Sequence, residues 1–249
     1  MQYVEILRAK RILTWYAIVV AGVTAIVAVS VLAQPHASQG AGPIPLADVF
    51  LLCTVGAFVL ATIMSTSLAS ESTTLAISWT RPVSRERIAW SFIAVDVAAI
   101  LLGYALLVAA ALLCIALIGL SGYLYGGPSS WGGFVLGAGS AVMWYALGLV
   151  ASSRLGAHGV RVATFTWLAF IVVNAVWAAP VPAPIHAVLT ALNYLDPIAY
   201  INGASVGGHA QAAQAHPLPP ATTTRIALEC VISAVAVTAA ARLWSTKEA

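Results

Sequence analysis

Long apolar runs separated by short polar segments dominate this chain. Each run approaches or exceeds the roughly 20 residues that a helix needs to cross the hydrocarbon core of a bilayer. In chain order, the runs predict six transmembrane helices, at 13–33, 46–69, 89–119, 132–152, 160–179 and 225–243. The pattern therefore predicts an all-α integral membrane protein in which residues 1–249 form a single transmembrane domain.

The composition supports this fold class. Of the 249 residues, 61% are hydrophobic and 8% are charged, whereas soluble domains carry about 25% charged residues. So few charges cannot keep a globule of this size in solution, which excludes a soluble protein. The formal net charge of +3 is small and gives no indication of a nucleic-acid partner.

The positions of the basic residues predict the orientation. With six spans, ten of the eleven Lys and Arg residues fall on one side of the membrane. They are Arg8, Lys10, Arg11, Arg81, Arg85, Arg87, Arg154, Arg161, Arg242 and Lys247. Only Arg225 falls on the other side. Because basic residues are enriched on the cytoplasmic side, we expect a multi-pass protein of the cell membrane (the inner or plasma membrane) with both termini in the cytoplasm.

The N-terminal segment has two interpretations. Met1 to Leu13 interleaves apolar and basic residues, which suits a short amphipathic helix on the membrane surface; it also suits the positive flank of the first span. Val31-Leu32-Ala33 resembles a signal-peptide cleavage site, but the apolar run is longer than the usual apolar region of such a peptide. We therefore expect this span to be retained as an anchor.

A broken apolar segment precedes the last span. Residues 185–200 are too short to cross and are interrupted by Asn193, Asp196 and Pro197. Segments of this length are typical of re-entrant or interfacial pieces. We expect one or two short helices here that dip back from the outer face, the alternative being a helix on the outer surface.

Besides Asp48 at the start of the second span, two acidic residues lie within predicted spans, Asp96 in the third and Glu229 in the sixth. Ionisable groups in hydrocarbon are costly and suggest a function unless they are paired. Glu229 stands four residues after Arg225 on the same helix face, which favours an ion pair between them. Asp96 could pair with an arginine of the preceding polar segment.

The fourth span carries several glycines. Gly133 and Gly137 form a GxxxG pattern, joined by Gly139 and Gly148. Small residues at this spacing let helices approach closely. The pattern therefore predicts tight packing of the fourth span, without specifying a dimer.

One stretch, Glu71 to Ile88, is polar where its surroundings are apolar; we call it the polar stretch. Residues 72–80 can form a helix that Pro82 ends, because the residue before a proline disfavours the helical conformation. Its arginines could meet acidic groups of a protein partner or lipid headgroups. The simpler interpretation is an ordinary basic loop.

The polar stretch resembles the passage after the second span in type-two ABC export permeases. The likeness consists of an acidic residue (Glu71), a Thr-Leu pair (Thr74 and Leu75) and a turn into Pro-Val-Ser-Arg (Pro82 to Arg85). The overall plan is also similar: a basic start, six spans, both ends inside and a broken segment before the last span.

The resemblance implies a permease subunit without a fused ATPase, driven by a separate ABC ATP-binding subunit that hydrolyses the ATP. A second permease copy would complete a homodimer or heterodimer in the lipid membrane, and the polar stretch would form a coupling hairpin on the ATPase. The coupling residues implied are Glu71, Thr74, Leu75, Trp79, Arg81, Pro82, Arg85 and Arg87. A hydrophobic or amphiphilic substrate would leave the cytoplasm.

Two other functions stay open at this point. One is an intramembrane enzyme that uses Asp96 or Glu229, and the other is a membrane scaffold or sensor that transports nothing. The sequence shows no recognised catalytic spacing, no P-loop and no cysteine or histidine spacing of a metal site. We therefore expect no enzymatic activity, metal or cofactor in this chain.

Overall fold

The computed structural model describes residues 2–32, 44–70, 84–126, 130–155, Thr166, 182–201 and 221–245. This part of the chain is helical apart from two very short strands and their connections. The helices are α1 (Gln2–Leu32), α2 (Leu46–Ser70), α3 (Arg85–Leu117), α4 (Ser130–Leu155), α5 (Ala183–Leu195), α6 (Pro197–Ile201) and α7 (Thr222–Ser245). The strands are β1 (Ile44–Pro45) and β2 (Leu124–Tyr125), and a 3₁₀ turn spans Ser121–Tyr123.

Five of these helices are long and apolar enough to cross a membrane. The qualifying segments are Ile6–Ile26, Val49–Ser67, Glu86–Leu117, Ser130–Ser152 and Thr222–Leu243. They coincide with five of the six predicted spans, which agrees with a multi-pass helical membrane protein. The predicted fifth span, 160–179, lies outside the described residues except for Thr166.

The N-terminal helix runs without a break through the boundary predicted at Leu13. Residues Gln2–Leu32 form one helix of 31 residues, so the basic residues and the apolar run share one axis. Of the five apolar helices, α1 is the least enclosed by the rest of the protein, and it packs mainly on α3.

Helix α3 has a defined start and a defined end. At its start, the Ser84 side chain accepts a hydrogen bond from the backbone N–H of Arg87 at 3.4 Å, and Glu86 lies in the first turn. A hydroxyl cap and an early carboxylate both favour a helix N-terminus. At its end, Gly119 adopts a φ of 77°, and the N–H of Leu120 donates to the carbonyl of Ile115 at 3.0 Å. This left-handed glycine closes the helix as a Schellman motif.

The connections at one end of the bundle are joined by a short parallel pairing. Ile44 pairs with Leu124, and Pro45 pairs with Tyr125. Because β1 precedes α2 and β2 follows α3, the start of α2 and the end of α3 lie at the same end. The end of α2 and the start of α3 therefore lie together at the opposite end.

Helix α4 is the central helix, and it packs against α2, α3, α6 and α7. Its Trp144 lies against Phe58 of α2 with ring centroids 5.6 Å apart, and the indole N–H donates to the Thr62 hydroxyl at 2.7 Å. The core between α2, α3 and α4 is made of fully buried apolar and aromatic side chains. These include Phe58, Leu60, Met64, Ile100, Tyr104 and Tyr145.

The broken segment before the last span forms two short helices, as predicted. Helix α5 ends at Leu195 and α6 begins at Pro197, with Asp196 between them. The Asp196 carboxylate accepts a hydrogen bond from the N–H of Ile198 at 2.8 Å, which caps α6. Ala199 and Tyr200 of α6 are fully buried, so this helix is part of the core.

Candidate functional site

Apart from Asp196, which caps α6, the buried charges of the described residues form two clusters. The first cluster centres on Asp96 of α3, about 17 Å along the helix from Arg85 at the usual rise per residue. Its carboxylate forms an ion pair with Arg8 of α1. The side chain of Arg8 is 5% exposed and that of Asp96 is 0% exposed, so both charges are removed from solvent.

Two further helices contribute to the first cluster. Arg8 also donates to the Ser67 hydroxyl of α2 at 2.7 Å, and the Tyr145 hydroxyl of α4 donates to the other Asp96 oxygen at 3.0 Å. The guanidinium carbon lies 5.3 Å from the centroid of the Phe92 ring, within the range of a cation–π contact. Four helices therefore meet at one polar cluster, which we call the Arg8–Asp96 cluster.

Removing one member of such a cluster leaves a buried charge without compensation. A buried ion pair that loses one partner typically costs about 3–5 kcal/mol. The forked guanidinium can serve Asp96 and Ser67 together, because it presents several donors in a fixed plane. The cluster thus fixes the relative positions of the helices that supply it.

The structure shows an arginine partner for Asp96 that the sequence did not suggest, Arg8 of the N-terminal helix. Of the arginines of the polar stretch, which the sequence suggested, Arg81 lies outside the described residues and Arg87 is exposed. Helical spacing places Arg8 on one face of α1 with Ile12 and Tyr16, which are partly buried, but this spacing does not identify the partner of Arg8. Lys10 and Arg11 are exposed, whereas Arg8 is buried. Treating the N-terminal basic residues as one group therefore misses the different position of Arg8.

The second cluster centres on Glu229 of α7. The Ser140 hydroxyl of α4 donates to one of its carboxylate oxygens, and Glu229 is 1% exposed. The ion pair that the four-residue spacing favours between Arg225 and Glu229 is not formed among the described residues; Arg225 acts on this carboxylate only through its longer-range charge. Its guanidinium also donates to the Tyr200 carbonyl of α6 at 3.0 Å. The two charges thus connect α7 to α4 and to α6.

The second cluster also contains a buried polar atom without a hydrogen-bond partner, the other carboxylate oxygen of Glu229. A Cβ atom added at Gly139 would overlap this oxygen, so the glycine is what lets the carboxylate lie against α4. The side chain of Asn193 in α5 is also buried. Neither its amide oxygen nor its amide nitrogen has a hydrogen-bond partner among the described residues.

The other three glycines of α4 that the sequence singles out, Gly133, Gly137 and Gly148, lie against α2. A Cβ at Gly133 would lie 3.3 Å from the Cα of Ala47, and a Cβ at Gly148 would lie 2.6 Å from the Ser65 hydroxyl. Between them, a Cβ at Gly137 would overlap the hydroxyls of Thr54 and Tyr104. These glycines therefore let α4 approach α2 within one chain, which is the close packing that the sequence predicts.

The residues of the predicted coupling segment lie mostly outside the described residues. Glu71, Thr74, Leu75, Trp79, Arg81 and Pro82 belong to this undescribed part. Arg85 and Arg87 lie in the first turn of α3, and the side chain of Arg87 is exposed. The described remainder of the polar stretch is thus the capped start of α3.

Among the described ranges, no group of three His, Cys, Asp or Glu side chains is placed to hold a metal ion. An apolar groove of about 440 Å³ lies between α1 and α3. It is lined by Ala17, Val20, Ala21, Thr24, Ala25, Leu106, Ala109, Ala110, Leu113 and Leu117. Both acidic residues predicted within spans are engaged by side chains of other helices, an arrangement suited to fixing helix positions.

Comparison with known proteins adds no relative. No family model matches the chain, and no curated protein or solved structure matches it.

Proposed function

We propose that this chain is the membrane-spanning permease subunit of an ATP-driven exporter of the type-two ABC class. It moves a hydrophobic or amphiphilic compound out of the cytoplasm. A separate ABC ATP-binding subunit supplies the energy, and a second permease copy completes the dimer within the lipid membrane. The subunit lies in the cell membrane, crosses it six times and has both termini in the cytoplasm.

The connection between the polar stretch and the bundle is the observation that carries this proposal. The stretch continues into α3, a helix of 33 residues that begins at a side-chain cap. Asp96 of the same helix is fixed to α1 and α4 by the Arg8–Asp96 cluster. A force applied to the stretch would therefore reach the packed core, which is what a coupling hairpin requires.

The chemistry of the two clusters favours a transport subunit over an intramembrane enzyme. The Asp96 carboxylate forms an ion pair with Arg8 and accepts a hydrogen bond from the Tyr145 hydroxyl. Glu229 accepts a hydrogen bond from Ser140. A general acid or base has to reach its substrate within hydrogen-bond distance. Both carboxylates are buried, and each is held by side chains of neighbouring helices.

The short helices α5 and α6 suit a role at the outer gate of the pathway. Asp196 breaks the segment, and α6 enters the core beside α4 and α7 through Tyr200 and its carbonyl contact with Arg225. Non-spanning helices at membrane depth are tolerated where protein covers them. Movement of α4 against α7 would therefore displace α6 directly.

Co-purification with an ATP-binding subunit tests the proposal. The chain is co-expressed with an ABC ATP-binding subunit from the same genome, and the tagged permease is captured in mild detergent. We expect the ATP-binding subunit to be retained and ATP hydrolysis to be inhibited by vanadate. Reversing Arg81 and Arg85 together to Glu is expected to weaken retention at least about tenfold, because truncating or reversing interfacial charges costs about 2–5 kcal/mol.

Arg11 and Arg242 provide the matched control. Both are exposed basic residues outside the polar stretch, and reversing them together changes the net charge by the same amount. We expect this control to retain the ATP-binding subunit. The proposal is wrong if no ATP-binding subunit is retained by the unmodified chain, or if the Arg81 and Arg85 reversal binds as tightly as the control.

A further inference from the structure

The guanidinium of Arg8 bonds to side chains of both helices that flank the polar stretch. One of its terminal nitrogens donates to Ser67, in the last turn of α2. The other pairs with Asp96 of α3. The helix that leads into the polar stretch and the helix that leads out of it are thus both attached to one guanidinium, which α1 supplies.

The burial of Arg8 makes this attachment specific. Ala9 beside it is 4% exposed, whereas Lys10 and Arg11, the next two residues along the helix, are exposed. Ser67 itself is oriented by donating to the Met64 carbonyl at 2.9 Å, and Asp96 is oriented by the Tyr145 hydroxyl at 3.0 Å. Each acceptor of Arg8 is therefore held in place by a further hydrogen bond.

A displacement of either flanking helix must move Arg8 or break a buried charged contact. Breaking it would strand a carboxylate in a region that excludes water, which is strongly unfavourable. Moving together is the alternative that preserves the contacts. Because Arg8 is part of the continuous helix Gln2–Leu32, its movement is carried into the apolar part of α1.

We propose that Arg8 is a positioning residue that fastens α2 and α3 to α1, so that a displacement of the polar stretch is transmitted to the first helix. This inference rests on the proposed function for its direction, from the ATP-binding subunit into the membrane. The fastening itself is a property of the chain alone. The two parts are therefore measured separately.

The fastening is measured on the purified chain in lipid nanodiscs. Spin labels replace two exposed residues, Lys10 of α1 and Glu86 of α3, in a chain whose three cysteines are replaced by alanine. Double electron–electron resonance then gives the distance distribution between the labels. We expect a narrow distribution in the parent chain and its loss in Arg8→Ala, while Arg11→Ala, the exposed neighbour, keeps it.

Two further variants keep the test decisive if Arg8→Ala fails to fold. The exchange of charges in the double variant R8D/D96R is expected to restore the narrow distribution. Arg8→Lys retains the charge but lacks the fork, so a second label pair, Lys10 with the exposed Ile63 of α2, is expected to lose its narrow distribution. If the distributions stay narrow in Arg8→Ala or Arg8→Lys, the fastening is refuted.

The transmission is measured in the complex with the ATP-binding subunit. Labels at Lys10 and at the exposed Val235 of α7 report the position of α1 against a helix outside the fastening. ATP with vanadate is expected to shift this distance in the parent complex. In Arg8→Lys we expect the ATP-dependent change in distance to be lost, while the ATP-binding subunit stays bound and still hydrolyses ATP. A purely structural role of Arg8 would leave this ATP-dependent change intact.

The outcomes separate the two proposals. If no ATP-binding subunit associates, the proposed function is wrong, and the measurement on the isolated chain still decides the fastening. If the complex forms and Arg8→Lys shows the same ATP-dependent shift as the parent, the role of Arg8 in transmission is overturned and the proposed function remains.

Discussion

A methyl group added at Gly137 should destabilise the protein more than the same addition at another helical glycine. The new Cβ would overlap the hydroxyls of Thr54 and Tyr104. Neither hydroxyl can simply rotate away, because both donate to the carbonyl of Phe50 at 3.1 Å. The Gly137→Ala variant must therefore separate α4 from α2 or break these buried hydrogen bonds.

The magnitude follows from three contributions. Overpacking of a well-packed core costs about 1–3 kcal/mol, and losing the interhelical hydrogen bond from Tyr104 to the Phe50 carbonyl costs about 0.6 kcal/mol. The higher helix propensity of alanine offsets up to about 1 kcal/mol of this loss in stability. We expect the free energy of unfolding to fall by about 1–3 kcal/mol in Gly137→Ala.

Gly22 of α1 is the matched control. It is a helical glycine with nothing within 4 Å of the position of an added Cβ, so Gly22→Ala gains the propensity contribution alone. The two variants should therefore differ by about 2–4 kcal/mol. The measurement is unfolding in mixed micelles by titration with sodium dodecyl sulfate, followed by circular dichroism.

A second substitution tests the steric cause. Tyr104→Phe removes one of the two hydroxyls that the new methyl group would meet. In that background, Gly137→Ala should cost at least about 1 kcal/mol less than in the parent, as a double-mutant cycle reports for groups in contact. Equal effects of Gly137→Ala and Gly22→Ala, or strict additivity with Tyr104→Phe, would refute the reasoning.

Three further predictions concern the buried clusters and the start of α3. Tyr145→Phe removes the hydroxyl that donates to Asp96 and should lower the free energy of unfolding by about 1.5–3 kcal/mol; Tyr123→Phe, at an exposed position, should be neutral in the same titration. Glu229→Gln keeps an acceptor for Ser140 and should destabilise less than Glu229→Ala, which also leaves a cavity; the reverse order in thermal unfolding would contradict the described geometry. Ser84→Ala removes the cap of α3 and should lower the stability of the first turn by about 0.5–1 kcal/mol. We expect faster hydrogen exchange of the amides at 85–88 and unchanged exchange in the middle of α3. Unchanged exchange at 85–88 would show that the cap is dispensable.

The fold class and most helix positions could be predicted from the chain because their physical cause is local. A run of about 20 apolar residues satisfies its backbone only as a helix within a bilayer. Five predicted spans therefore coincide with helices of the structure, and the break at Asp196 and Pro197 coincides with the gap between α5 and α6.

The partners of the buried charges could be predicted only in part. Arg225 and Glu229 are four residues apart on one helix, so helical geometry predicts their proximity, but Arg225 donates to the Tyr200 carbonyl and Glu229 accepts from Ser140. Asp96 is 88 positions from Arg8, and no local rule joins them. The same holds for Glu229 and Ser140, which are 89 positions apart.

The sequence by itself determined that the chain is a helical membrane protein and that α4 needs close neighbours. The length of an apolar run and the spacing of small residues are properties of one helix, so they can be recognised in the sequence. Only the tertiary structure decided which neighbours those are: α2 against Gly133, Gly137 and Gly148, and α7 against Gly139. It also decided that one of three N-terminal basic residues enters the core, because burial depends on how helices distant in sequence pack together.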